Sequence, residues 1–101
     1  MPEFATPYSV KKSDRKLTNE ELIRAIRFSI AGEYEAIQLY EEIAETIDNE
    51  ESKRLLNEIA GDERVHAGNL LYLLNLISPE DARGHKEGVE EAEKVIKGGK
   101  E

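Results

Sequence analysis

Residues 56–77 read LNEIAGDERVHAGNLLYLLNLI. Leu56, Ile59, Leu70, Leu73 and Ile77 fall on one face of an α-helix if positions 63 and 66 are counted with them, because the steps alternate between three and four residues. Those two positions are Glu63 and His66. Upstream, Leu22, Ile26, Ile30, Ile37, Tyr40, Ala44 and Ile47 form a similar stripe, and its missing step is Glu33. Three ionisable groups therefore interrupt two otherwise apolar seams. Burying an unpaired carboxylate costs several kcal/mol even after relaxation, so each needs a compensating partner. The nearby basic residues, Arg27 and Arg64, fall off the stripes. A cation shared by the three groups supplies the compensation directly.

The boundaries of these helices are legible. Thr18 followed by Glu21 is a capping box that starts the first helix at about Glu20. It runs to about Ile47, and the polar stretch Asp48-Asn49-Glu50-Glu51 breaks it, with Asn49 suited to a turn. A second helix runs from about Glu51 to Ile77 and stops at Ser78-Pro79, where Ser78 can cap the next helix. The spacing predicts a short helix from Pro79 to about Arg83 and another from about Lys86 to Lys97, with His85 in a loop beside Gly84. Residues 1–17 show no periodicity. Lys11, Lys12, Arg15 and Lys16 outweigh Glu3 and Asp14 there, so this segment reads as a flexible basic tail. The expected organisation is tail 1–17, helical hairpin 18–78 and helical appendage 79–101.

Composition narrows the function classes. The chain has 101 residues, no Cys and a net charge of −8. That length allows one small domain. Without cysteine, disulfides, thiolate metal sites and thiol chemistry are excluded from these residues. A pI near 4.8 argues against nucleic acid as a main partner. No apolar run reaches the roughly 18 residues of a membrane span, and the N-terminus has no apolar signal core, so a cytoplasmic setting is expected. Two helices cannot bury a core between them. The expected fold is all-α: an antiparallel two-helix hairpin with short C-terminal helices, pairing with a second copy into a four-helix bundle.

In such a hairpin Glu33 lies as far before the turn at Asn49–Glu50 as His66 lies after it, so the two share a layer, with Glu63 one turn away. A di-iron carboxylate bundle takes one Glu from each of two helices and one Glu-x-x-His from each of the other two. This chain supplies half of that set, and two copies about a two-fold axis supply all of it. Carboxylates with one imidazole and no thiolate suit Fe or Mn, and Zn less well. The expected arrangement has Glu63 bridging two ions, with Glu33 and His66 as outer ligands. Histidine must be neutral to bind, so occupancy should fall as pH drops toward about 6.

The segment Gly32-Glu33-Tyr34-Glu35-Ala36-Ile37-Gln38-Leu39-Tyr40, with Asp62-Glu63-Arg64-Val65-His66 downstream, resembles the ferritin-like/rubrerythrin superfamily, and more closely the encapsulated ferritins. The resemblance spans about residues 18–97. It implies dimers with a di-iron ferroxidase centre between chains, closure of the dimers into a ring, oxidation of Fe(II) by O2, and storage of the iron inside an encapsulin shell. By position it implies that Glu33, Glu63 and His66 are iron ligands, that Tyr40 stands beside the centre, and that Glu35 is an outer carboxylate holding incoming metal. Gly32 departs from relatives that carry an acidic residue there. The end of the chain, Val95 to Glu101, does not resemble the targeting tail of free-standing cargo. A fragment of a longer chain, a shell fusion and another mode of docking all remain open. Three functions compete: a ferroxidase; a rubrerythrin-type peroxidase, which needs a separate electron donor; and a non-catalytic helical interaction protein.

Overall fold

The computed structural model describes residues 15–98, and the expectations for residues 1–14 and 99–101 lie outside it. Three helices follow one another: α1 (Asn19–Glu45), α2 (Glu50–Ile77) and α3 (Pro79–Gly98). Among the described residues there is no strand, so the chain is all-α.

Each helix end has a local cause. Thr18 caps α1 by accepting a hydrogen bond from the Glu21 backbone N–H at 3.1 Å, and the Glu21 carboxylate accepts one from the Thr18 N–H at 3.0 Å. Arg15 extends this box, its guanidinium donating to both Glu21 oxygens at 2.7 Å. α1 ends two residues before the expected Ile47. The Thr46 hydroxyl turns back onto the carbonyls of Glu42 and Ile43 and competes with continued helix. Asn49 then caps α2, accepting from the Ser52 N–H at 2.8 Å.

α1 and α2 form an antiparallel hairpin. Its seam joins Ile26, Ile37 and Ala44 of α1 to Ala60, Ala67 and Leu74 of α2. On α1 this is the expected stripe. On α2 the buried line lies one position round the helix from it. Leu74, expected outside the main stripe, is only 2% exposed, whereas Ile59, Leu70 and Leu73 are half-buried. Ala60 and Ala67 carry the smallest apolar side chains, so they let the two helix axes approach. The larger residues beside them then line an open face. Three large side chains in the seam, worth about 1.5–3 kcal/mol each, make a thin core. Leu39, Ile43 and Leu55 remain exposed.

α3 corrects the expectation of two short C-terminal helices. It is one helix of 20 residues, and it takes in Gly84, His85 and Gly88. No glycine among the described residues adopts positive φ. A helical glycine costs about 1 kcal/mol relative to alanine, which weakens a helix without breaking it. The intervening Arg, Lys, Glu and Ala residues are strong helix formers. Ser78 caps the helix, its hydroxyl accepting from the Asp81 N–H at 3.2 Å and donating to Asp81 Oδ1 at 2.6 Å. Arg27 of α1 grips the same carboxylate, donating at 2.6 and 3.1 Å. No residue of α3 is buried.

Candidate metal centre

Glu33 comes from the middle of α1, and Glu63 and His66 come from successive turns of α2. Each of the three offers a ligand atom, and those atoms lie within 4.8 Å of one another. His66 Nδ1 is 3.1 Å from Glu63 Oε1 and 3.7 Å from Glu33 Oε1. The hairpin thus brings together the three groups that interrupt the apolar seams. Glu33 and Glu63 are half-buried, with side chains 22% and 19% exposed, whereas the His66 side chain is 55% exposed at the rim of the open face.

The electrostatics of the cluster are not balanced by protein groups alone. Glu33 Oε1 is sealed from solvent and has no hydrogen-bond partner. Both candidate guanidinium partners are engaged elsewhere: Arg27 with Asp81 at 2.6 Å and Arg64 with Glu41 at 2.8 Å. The Glu63 carboxylate, and then burial, raise the Glu33 pKa above its ordinary value. Glu63 is held below its own, first by hydrogen bonding with Glu33 and further by His66, against a burial that pushes it up. The two carboxyls therefore titrate as a pair, with the proton favoured on Glu33. An orphaned oxygen beside a second carboxylate and an imidazole fits a borderline or hard divalent cation such as Fe, Mn or Zn.

The other expected residues stand apart from the cluster. Tyr40 is half-buried on the face of α1 that carries Glu33, two turns and about 10.5 Å further along. Its hydroxyl makes no hydrogen bond among the described residues. Glu35 is exposed, and about 200° of helical rotation separates it from Glu33. His85 lies in α3, away from the cluster. Sequence reasoning did not single out Asp81. Its signal was the position three residues after the capping Ser78, from which an acidic side chain reaches back to the cap, here to the Ser78 hydroxyl.

A family model described as rubrerythrin matches residues 24–100. The chain belongs to the rubrerythrin family. Within this ferritin-like superfamily, an encapsulin nanocompartment cargo protein of Myxococcus xanthus is 38% identical over 84 residues, covering 83% of this chain and 65% of the relative. A ferritin-like–encapsulin shell fusion protein of Pyrococcus furiosus is 34% identical over 82 residues, covering 81% of this chain and 24% of the relative. The chain therefore spans less than two thirds of the length of either protein. The crystal structure of an encapsulated ferritin domain from Pyrococcus furiosus superimposes with a TM-score of 0.77 at 35% identity, covering 84% of this chain and 86% of that one. The fold of this rubrerythrin-family chain is thus the helical fold of an encapsulated ferritin. No helix among the described residues is long and apolar enough to cross a membrane.

Proposed function

We propose that the chain is a ferroxidase whose centre is completed by a second copy. Two chains meet through the open face of the hairpin, and each contributes Glu33, Glu63 and His66. Fe(II) is the substrate, O2 the oxidant and Fe(III) the product, which passes to mineral storage inside an encapsulin shell in the cytoplasm. The dimers assemble further into a ring-like homo-oligomer. The observation that carries this reading is the sealed, unpartnered Oε1 of Glu33 beside Glu63 and His66, with both nearby arginines committed elsewhere. Similarity to an encapsulin cargo protein and to an encapsulated ferritin domain supports the choice of substrate and compartment.

Bound iron supplies the redox chemistry, each Fe(II) giving one electron to O2. The residues of this chain prepare the site for it. Glu33 gives up the proton that its neighbour Glu63 favours there, and both carboxylates then face the cation. His66 turns Nδ1 toward the carboxylates, so as a ligand it keeps its proton on Nε2. Ile59, Leu70 and Leu73 flank His66 on the open face, and pairing with a second copy shuts water out there. Tyr40 lies on the Glu33 face two turns from the cluster, with no hydrogen bond among the described residues, so in this reading it acts from outside the ligand set. Glu35, exposed on the outside, is a carboxylate that collects incoming cations.

A second reading is favoured by the family description itself: a rubrerythrin-type peroxidase. The 101 residues hold no cysteine, so electrons would come from a separate donor. Aerobic Fe(II) oxidation by the pure protein tests the proposal. Oxidation should run well above that in buffer, with at least a tenfold loss in Glu33→Ala, Glu63→Ala and His66→Ala. Peroxide consumption with a reductant that outpaces O2-driven oxidation favours the second reading. Wild-type oxidation no faster than in buffer contradicts the first.

A further inference from the structure

The apolar seam of the hairpin has charged groups on both of its sides. Glu33, Glu63 and His66 stand on one side. On the other, Arg64 of α2 meets Glu41 of α1 at 2.8 Å. Helical angles fix this division. Ile37 is buried and lies four residues from both Glu33 and Glu41, so it sits between them, about 40° from each. Ala60, also buried, lies three residues before Glu63 and four before Arg64, and divides them in the same way. The Arg64 guanidinium is therefore turned away from the cluster, although it belongs to the residue next to Glu63.

The seam alone sets the rotation of the helices only loosely. Near the cluster α2 presents Ala60 and Ala67 to it, and alanines permit close approach but offer no interlocking side chain that resists turning. Glu33 and Glu63, when both are charged, also repel each other along one edge of the seam. We propose that Arg64 and Glu41 are a positioning pair for the metal centre. They join α1 to α2 along the opposite edge and set the turn of α2 at which Glu63 and His66 face Glu33. The proposal rests on the reading of those three residues as ligands. Neither Arg64 nor Glu41 touches the cation; each acts through the helix that carries a ligand. Their side chains are 56% and 34% exposed, so the pair adds little to global stability, and its effect falls on the geometry of the site.

Titration of the metal-free full chain with Co(II), followed by visible absorption and by calorimetry, tests this. A guanidinium that acted only through its charge would repel a bound cation, so Arg64→Gln would tighten binding. Positioning gives the opposite sign. Arg64→Gln and Glu41→Gln should each weaken Co(II) binding about fivefold, the ceiling for an exposed pair, with an altered ligand-field band. The reversed pair, Glu41→Arg/Arg64→Glu, should regain most of the loss, and the Tm in chelator should hardly move in any of the three. Arg64→Gln binding Co(II) as tightly as the wild type, or more tightly, overturns the proposal, as does a reversed pair that regains nothing. A wild type that binds no Co(II) removes the ligand set itself and this proposal with it.

Discussion

Replacing Glu33 by leucine separates what the carboxylate costs the fold from what it gives the site. In the metal-free chain Glu33 Oε1 is sealed and unpartnered, and an unsatisfied buried polar group costs about 1–3 kcal/mol. The side chain is 22% exposed, which places the cost at the low end, about 1 kcal/mol. Leucine also continues the stripe from Ile30 to Ile37. At about 4–8 °C per kcal/mol for a domain of this size, Glu33→Leu should raise the metal-free Tm by about 5 °C. The sign with pH comes from the raised pKa of Glu33, whose cause is Glu63 and then burial. Stability linked to a raised carboxyl is complete at low pH and is lost as pH rises through the folded pKa. The advantage of Glu33→Leu should therefore grow from acid to neutral pH. The wild type behaves oppositely with metal. A divalent ion at about 100 times its Kd adds about 2.7 kcal/mol, a rise of more than about 10 °C, and the variant should lose most of it. The assay is thermal denaturation by circular dichroism, with chelator or with Mn(II), at one fixed protein concentration. A lower metal-free Tm in Glu33→Leu would show that the carboxylate stabilises the fold. An undiminished metal shift would remove Glu33 from the ligand set.

Two further outcomes concern the titrating groups. Asp81 is held at about 2, chiefly by Arg27 and then by Ser78, so its stabilising effect is complete above the ordinary 3.8 and is lost as pH falls toward about 2. Protection from hydrogen exchange in α3, relative to the intrinsic rate at each pH, should fall across that window, and Asp81→Asn should abolish the transition while costing about 1 kcal/mol. Divalent metal binding should release protons, more of them near about pH 5 than near about pH 7, because Glu33 holds its proton longer than an ordinary carboxyl. Calorimetry in buffers of different ionisation enthalpy measures this, and Glu33→Gln should reduce the difference between the two pH values without removing it, because His66 must also be neutral to bind.

Much of the architecture was legible because each signal had a local cause. Thr18 with Glu21, Asn49 and Ser78 mark helix starts by side-chain capping, and the interrupted stripes placed Glu33, Glu63 and His66 in one layer. Three features were not. Leu74 and the alanines at 60 and 67 form the buried line of α2 because small residues let helices approach, whereas a hydrophobic pattern gives weight to the larger Ile59 and Leu73. The continuity of α3 through Gly84 and Gly88 depends on the sum of modest propensities rather than on any one residue. The Arg27–Asp81 clamp joins residues 54 positions apart, and no periodicity encodes a pair of that kind.

The most direct test is anomalous diffraction at the iron edge from crystals soaked anaerobically in Fe(II). Two iron peaks related by a two-fold axis between chains, each ligated by Glu33, Glu63 and His66, are the predicted result. Iron bound elsewhere, or Glu33 and His66 facing bulk solvent without metal, would contradict it.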